Sequence, residues 1–182
     1  WQGLLRELVA NRGKENLYTY LANQVLDQQT QSVQDFLLGT CILQEMEADL
    51  CNRLLNRTDS TEILRVLENR SLFVMRLDAG ESPRFRYHPL FAAFLQDRVG
   101  RTPQQLLSLH ERAGVILEER GHVEQAIRHY LAAKVPDAAA RVIEVNARKG
   151  YEAGRLTTLT SWLEALPPEL LDSRPQLLRV HG

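Results

Sequence analysis

Apolar side chains recur every three or four positions in the first seventy residues, which is the spacing of one buried helical face. The pattern predicts five helices, of which the first covers residues 2–11 and closes at Arg12-Gly13, and the second ends near Gln28. Ser32 and Ser60 each precede an apolar run and are predicted to cap the third and fifth helices. The positions expected to face inward are Leu4, Leu5, Leu8, Val9, Leu17, Tyr20, Leu21, Val25, Leu26, Phe36, Leu37, Thr40, Cys41, Leu50, Leu54, Leu55, Ile63, Leu64, Val66 and Leu67.

The pattern changes after residue 71 to that of two short strands, which predicts a β-hairpin. Residues 72–77 form the first predicted strand, 78–83 the turn, and 84–88 the returning strand. Phe85 and Tyr87 lie two positions apart and are therefore expected on one side of the strand, with its arginine and histidine side chains on the other.

Pro89 follows the hairpin directly and predicts the start of a helix. It holds His88 extended, because a residue before proline avoids the helical region, and proline suits the first helical position. His88 is therefore predicted at a strand-to-helix junction, beside a helix N-terminus whose N–H groups attract anions. Helices followed by one hairpin and a further helix are typical of a winged-helix domain. The inward face expected for the new helix is Leu90, Phe91, Phe94 and Leu95.

Beyond Gly100 the chain is rich in Ala, Leu, Glu and Arg and carries no strand signal. Thr102-Pro103 begins a predicted helix that Gly121 ends, and Pro136 begins another that closes at residues 148–150. Moving the sequence along itself by the separation between Gly121 and Gly154 places similar residues on one another. A repeat of this length is typical of stacked helix pairs. The superimposed pairs are Leu106 with Ala139, Leu109 with Val142, Gly121 with Gly154, Tyr130 with Leu163, and Ala133 with Leu166.

The last complete helix is predicted before Pro167-Pro168, and Pro175 is predicted to begin another. The residues expected on the inner face of that last helix are Leu156, Leu159, Trp162, Leu163 and Leu166. Small and aromatic positions of the preceding helices resemble those of a tetratricopeptide repeat: Gly121, Ala126, Tyr130 and Ala133. The predicted fold class is mainly α, a winged-helix domain with a small β-hairpin followed by tetratricopeptide-like antiparallel helix pairs that begin an α-solenoid.

Charge is nearly balanced along the chain. The 22 Lys and Arg residues face 23 Asp and Glu residues, with 11 basic and 13 acidic residues up to Gly100 and 11 and 10 after it. Neither half carries the basic excess of an autonomous nucleic-acid binder. No apolar run approaches the ~18 residues of a membrane span, and no leader for export is expected. Cys41 and Cys51 lack metal-ligand spacing and are predicted to be buried cytosolic thiols.

Candidate chemistry is sparse in this sequence. Gly13-Lys14 does not form a phosphate-binding loop, because Leu8 and Glu15 occupy places that need Gly and Ser or Thr. No nucleophile–histidine–acid order, paired-carboxylate site or metal cluster emerges. The residues predicted to be solvated, half-packed or core, with no ligand role, are His110, His122, His129, His181, Trp162 and the pair Arg84 and Arg86. His88 by itself is also interpreted as a packed or capping histidine.

Five segments, in order along the chain, resemble one family. They are residues 36–43 (FLLGTCIL), 67–73 (LENRSLF), 87–95 (YHPLFAAFL), 126–133 (AIRHYLAA) and 162–167 (WLEALP). Together they are similar to segments of the MalT-like, large ATP-binding LuxR-type transcriptional regulators. That family belongs to the STAND class of signalling ATPases, which is related to the NLR proteins.

The resemblance implies a fragment of a bacterial, cytoplasmic regulator. Residues 1–30 would be linking helices after an ATPase domain that precedes Trp1, 31–100 the winged-helix domain, and 101–182 a truncated repeat arm. No cofactor and no catalysis are expected in the fragment; ATP or ADP would bind the parent protein, a slow ATPase. The expected partners are the adjacent ATPase and helical-repeat domains, with possible self-association of the parent, and no DNA or membrane contact by this fragment.

His88 acquires a role only through the resemblance. In related NLR and apoptosome ATPases the histidine at this winged-helix position reaches the β-phosphate of bound ADP and holds the resting state. Carried over, His88 would contact ADP on a neighbouring ATPase domain, in the full-length protein only. Pro89 departs from the family, which often has a second histidine there, so a second contact is in doubt. The alternative function is a freestanding helical-repeat adaptor that binds a protein or peptide.

Overall fold

A computed structural model describes residues 23–70, 73–78, 80, 82–100 and 102–174. The chain divides into two compact units between Arg101 and Thr102, and each is described by itself. Across the described residues, no helix is both long enough and apolar enough to cross a membrane.

The first unit contains helices and one hairpin. Residues 23–27 are helical. The named elements that follow are α1 (Gln31–Thr40), α2 (Ala48–Leu55), α3 (Ser60–Asn69), β1 (Val74–Arg76), β2 (Phe85–Tyr87) and α4 (Pro89–Gly100). The mainly helical fold with a small hairpin is therefore confirmed, while the helix expected over residues 2–11 lies outside the described residues.

The hairpin is antiparallel, and its register pairs Val74 with Tyr87 and Arg76 with Phe85. Met46, between α1 and α2, forms an additional bridge: its N–H donates to the carbonyl of Phe85 at 2.8 Å, and its carbonyl accepts the Phe85 N–H at 2.9 Å. This isolated bridge ties the segment between α1 and α2 to the two-stranded sheet. A single bridging residue has no period, so the sequence pattern did not predict it.

Neither predicted serine cap is seen. Helix α1 begins at Gln31 and α3 at Ser60 itself, and their preceding residues make no side-chain cap bond. The Ser60 N–H instead donates to Asn52 Oδ1 at 3.1 Å, so α2 caps α3 from outside the helix. The buried Ser60 Oγ has no hydrogen-bond partner within the described part of the chain.

The buried face of α4 differs from the predicted one. Phe91, Leu95 and Val99 are buried, Phe94 is half-buried, and Leu90 is 56% exposed. The prediction for Leu90 was wrong, because helical spacing alone does not say which edge of an apolar stripe meets the core.

The second unit consists of α5 (Pro103–Glu119), α6 (Val123–Ala132), α7 (Pro136–Glu152), α8 (Leu156–Glu164) and α9 (Pro168–Ser173). The predicted repeat is confirmed, because the shift that carries Gly121 onto Gly154 also carries both ends of α5 onto those of α7, and the start of α6 onto that of α8. Gly121 and Gly154 both have positive φ, 76° and 68°. After each, the next N–H donates 2.9 Å back into the preceding helix, His122 to Leu117 and Arg155 to Gly150.

Two expectations for this unit need correction. Helix α7 does not close at residues 148–150, because Gly150 is buried inside it and a Cβ there would lie 3.0 Å from Leu159 Cδ2. Leu156 is 52% exposed and contributes little to the core. Helix α9 was not predicted, and the helix expected from Pro175 lies outside the described residues.

Candidate functional site

His88 occupies the strand-to-helix junction predicted for it. Strand β2 ends at Tyr87 and α4 begins at Pro89. The His88 N–H donates to the Phe73 carbonyl at 2.7 Å, and its carbonyl accepts the N–H groups of Phe91 and Ala92 at 2.9 and 3.0 Å. Both backbone groups are thus held, while the imidazole is exposed. His88 is therefore not packed in the core, while its place before α4 and its carbonyl bonds fit the other half of the interpretation, a capping residue.

The helix N-terminus beside His88 offers less to an anion than the sequence suggested. Pro89 has no N–H, and the Phe91 N–H is already bonded to the His88 carbonyl. Of the first three helical positions, only Leu90 could present its N–H outward. Any recognition of an anion here would therefore depend mainly on the imidazole.

An aromatic cluster beneath His88 fixes the junction. The Phe73 ring stacks on Phe91 with centroids 4.9 Å apart, and Tyr87 meets Phe91 edge-on at 6.0 Å. Phe73 has a φ of 57°, a left-handed conformation that costs a bulky residue about 1–3 kcal/mol. Phe73 therefore combines a strained backbone with two roles, the acceptor for the His88 N–H and a ring packed on Phe91.

Tyr87 ties the hairpin to α1. Its hydroxyl lies 2.7 Å from Thr40 Oγ1, which itself donates to the Phe36 carbonyl at 2.7 Å. Because Thr40 uses its proton in that bond, the Tyr87 hydroxyl donates to Thr40. Burial raises the pKa of Tyr87 well above its usual range, so the phenol stays protonated and remains a donor.

The outer face of the hairpin is held by ion pairs. Glu45 accepts from Arg84 at 3.0 Å and from Arg86 at 2.9 Å, and Arg84 also binds Asp78 at 2.7 Å. The hydrogen bond from Arg84 lowers the pKa of Asp78. The two arginines predicted as a solvated strand face are thus paired with carboxylates, and Glu45 is a partner that sequence spacing could not reveal.

A pocket of about 540 Å³ lies between α2, α3 and the hairpin, away from His88. Acidic and basic side chains both line it, among them Glu47, Glu68, Arg65 and Arg76. Arg76 lies 3.7 Å from Glu68, and Arg65 pairs with Glu62. The lining holds three carboxylates, those of Glu47, Asp49 and Glu68, against two arginines, and so lacks the excess of positive charge that favours phosphate contacts.

The remaining residues weighed from the sequence fall into place separately. Cys41 and Cys51 are buried thiols, as predicted, and burial raises the pKa of Cys41 to about 12. Trp162 is half-buried and His122 is exposed, while His181 lies outside the described residues. Within the described ranges, no group of three or more His, Cys, Asp or Glu side chains could hold a metal ion.

One pair of histidines was missed. His129, expected to be solvated or half-packed, is only 7% exposed. Its Nδ1 lies 2.9 Å from His110 Nδ1. The separation of the two histidines along the sequence gave no signal of this contact, because it depends on how α5 packs against α6.

Comparison with known proteins relates the chain to one group of regulators. Residues 22–107 match the family model of the MalT winged helix domain. The HTH-type transcriptional regulator MalT of Vibrio campbellii is 32% identical over 172 residues, which cover 94% of this chain and 19% of the relative. MalT of Yersinia pestis is 32% identical over 170 residues, 93% of this chain and 19% of the relative.

A protein named for a different function is also similar. The serine/threonine-protein kinase PknK of Mycobacterium tuberculosis is 30% identical over 163 residues, 88% of this chain and 14% of the kinase. The chain thus spans about a fifth or less of the length of these relatives. Over residues 22–107 it is a winged-helix domain of the MalT type, and it is MalT-like across most of its length.

Proposed function

We propose that this chain is the coupling segment of a MalT-like, STAND-class and LuxR-type transcriptional regulator. An adjacent ATPase domain would bind ATP or ADP, the winged-helix unit would sense which nucleotide is bound, and a tetratricopeptide-like arm would pass that state to sensor and DNA-binding domains. The parent protein would be cytoplasmic, would hydrolyse ATP slowly and would self-associate. Catalysis would lie outside this chain.

The observation that carries the proposal is the exposed imidazole of His88 on a rigid junction. Its backbone is bonded on both sides, and Phe73, Tyr87 and Phe91 pack together below it. A side chain on such a support can donate to a phosphate oxygen on a neighbouring domain without reorganising its own domain. The His88 imidazole is exposed and adds nothing visible to the core, yet its backbone is firmly held. This combination favours a contact with another domain.

The two kinds of relative support a transmitting role. A similar segment occurs in proteins named as a transcriptional regulator and as a protein kinase. A segment that occurs in both a transcriptional regulator and a protein kinase is better suited to relaying the nucleotide state than to performing either of those two functions. This supports a coupling function and places the output in other parts of the parent protein.

The charge pattern of the wing supports the absence of direct DNA contact by this fragment. Four arginines of α3 and the hairpin are paired with carboxylates, namely Arg65, Arg76, Arg84 and Arg86. Phosphate contacts supply most of the affinity of a DNA-binding protein. The paired carboxylates neutralise the local positive charge that would attract a phosphate backbone.

The test is His88→Ala in the full-length regulator. A hydrogen bond to a charged group contributes roughly 1.5–3 kcal/mol, so its loss should shift the resting state by roughly ten- to hundredfold. ADP release should accelerate and activity without inducer should rise. His88→Gln, which keeps a donor but no charge, should fall between wild type and Ala.

His122→Ala provides the matched control. His122 is also exposed and also precedes a helix whose early N–H it accepts, that of Ala126 at 2.9 Å. It should leave ADP release unchanged, and neither substitution should alter thermal melting of the 182-residue chain by more than a degree or two. Unchanged ADP release in His88→Ala, or a lowered melting temperature alone, would show that His88 is not a nucleotide sensor.

The repeated helix pairs of the second unit favour the alternative of a helical-repeat adaptor that binds a protein or peptide. The gene sequence upstream of residue 1 distinguishes the two functions. A phosphate-binding loop on a strand–loop–helix there supports the coupling segment, and a complete upstream sequence without one supports the adaptor.

A further inference from the structure

Two histidines face each other in the second unit. His110 on α5 and His129 on α6 have ring centroids 5.0 Å apart, and their Nδ1 atoms are separated by 2.9 Å. His129 is buried and His110 is half-buried. The distance is that of an N–H···N hydrogen bond.

Such a bond constrains the protons of both rings. One Nδ1 carries a proton and donates, and the other Nδ1 must accept with its lone pair, so the accepting ring is uncharged. A first added proton can enter at Nε2 of the donating ring and leave the bond intact. A second must occupy the accepting Nδ1, which breaks the bond and sets two positive charges side by side.

The surroundings oppose positive charge on the pair. Burial first, then His110 and then Arg128 lower the pKa of His129 to about 4, and burial lowers the pKa of His110. Glu111 follows His110 on α5 and is exposed. Four other carboxylates of α5, α6 and α7 are bound to arginines. These pairs are Glu118 with Arg141, Glu124 with Arg128, and Asp137 and Glu144 with Arg174.

We propose that the His110–His129 pair is a pH-sensitive latch, which holds α5 against α6 while the accepting ring is uncharged and releases them when that ring takes up a proton as the medium acidifies. The latch lies within the second unit and does not depend on nucleotide sensing by His88. It would make the repeat arm, and not the winged-helix unit, the part of the chain that responds to mild acid.

The direction follows from proton linkage. An unfolded histidine takes up its proton near pH 6.5, whereas the folded His129 does so only near pH 4. Between these values the opened state binds more protons, so stability is present above pH 6.5 and is lost as the pH falls. Each histidine with a lowered pKa raises the opening constant by up to about tenfold per pH unit in this window.

Hydrogen exchange of the 182-residue chain between pH 7.5 and 4.5, corrected for intrinsic rates, tests the latch by region. We expect opening of α5 and α6 to increase by about tenfold or more between pH 6.5 and 5.5, with α1–α3 as the internal reference. His129→Gln, which cannot be charged, should lose about one tenfold step of this response, and His122→Gln should keep all of it. The same response in wild type and His129→Gln would overturn the latch.

A second measurement covers the case in which His129→Gln does not fold. Ring ¹⁵N and ¹H shifts of the wild-type chain report the tautomer and titration of each histidine. We expect an Nδ1–H on one ring of the pair and His129 uncharged down to pH 5, with the exposed His122 as the reference. Titration of His129 near pH 6.5 would overturn the proposal.

Discussion

The two units differ in how far apart along the sequence their contacting residues lie. In the first unit the polar contacts span long stretches of chain. They cover 47 residues from Thr40 to Tyr87 and 41 from Glu45 to Arg86 at the hairpin, and 55 from Cys41 at the end of α1 to Gln96 in α4. In the second, Glu118 reaches Tyr130 and Arg141 over 12 and 23 residues, and Arg174 reaches Glu144 and Asp137 over 30 and 37.

This difference has consequences for folding. The hairpin of the first unit depends on helices formed far earlier in the chain, so the unit should fold and unfold as one block. Each helix of the second unit needs mainly its neighbours, as in repeat proteins whose stability is roughly a sum of local terms. A destabilising substitution should therefore weaken the whole of the first unit, but in the second unit only the substituted helix and its neighbours.

The largest expected effect tests the first half of this comparison. Phe91→Ala removes a fully buried ring that contacts Phe73, Tyr87 and Phe94, and should destabilise the unit by about 3–5 kcal/mol. Urea unfolding measures the loss, and hydrogen exchange should show it across α1–α4 but not in α5–α8. Phe94→Ala, at a half-buried position, should cost less. Exchange that increases only around residue 91 would contradict the single-block description.

Two glycines test how local the second unit is. A Cβ at Gly114 would lie 2.8 Å from two atoms of the rigid Tyr130 ring, whereas one at Gly150 would lie 3.0 Å from a methyl group of the flexible Leu159. We expect Gly114→Ala to cost about 1–3 kcal/mol and Gly150→Ala less, because a leucine can change its rotamer.

The matched control for both is Gly100→Ala, at the end of α4, where a Cβ meets nothing within 4 Å. It should stabilise the chain by about 0.4–1 kcal/mol by restricting the unfolded state. Thermal melting ranks the three variants, and hydrogen exchange should confine the Gly114→Ala effect to α5, α6 and α7. Equal costs at both buried glycines would show that their packing is equally rigid.

The smallest expected effect compares two tyrosine hydroxyls. Tyr87→Phe removes the buried donor to Thr40 and should cost about 0.5–1.5 kcal/mol. Tyr130→Phe should cost less, since Glu118 keeps two bonds to Arg141, at 2.6 and 2.7 Å, and lies partly in water. Urea midpoints of the two variants give the order. A larger loss at Tyr130 would mean that the short-range contacts of the second unit are the stronger ones.

The sequence predicted most of the helices and the hairpin, because apolar periodicity and proline positions act locally. The strand-to-helix junction at His88 followed from Pro89, and the repeat of the second unit followed in part from Gly121 and Gly154. Their left-handed backbone is a local requirement that the residue type itself reveals. The resemblance to MalT-like regulators likewise rested on short segments in order along the chain.

What only the tertiary structure decided are contacts between distant residues. The bridge from Met46 to Phe85, the hold of Glu45 on Arg84 and Arg86, and the pairing of His110 with His129 have no periodic signal. Whether Leu90 or Val99 faces the core depends on where α1 lies, not on helical spacing. A sequence determines which face of an element is apolar, but packing against other elements determines which polar groups on that face meet, and at what distance.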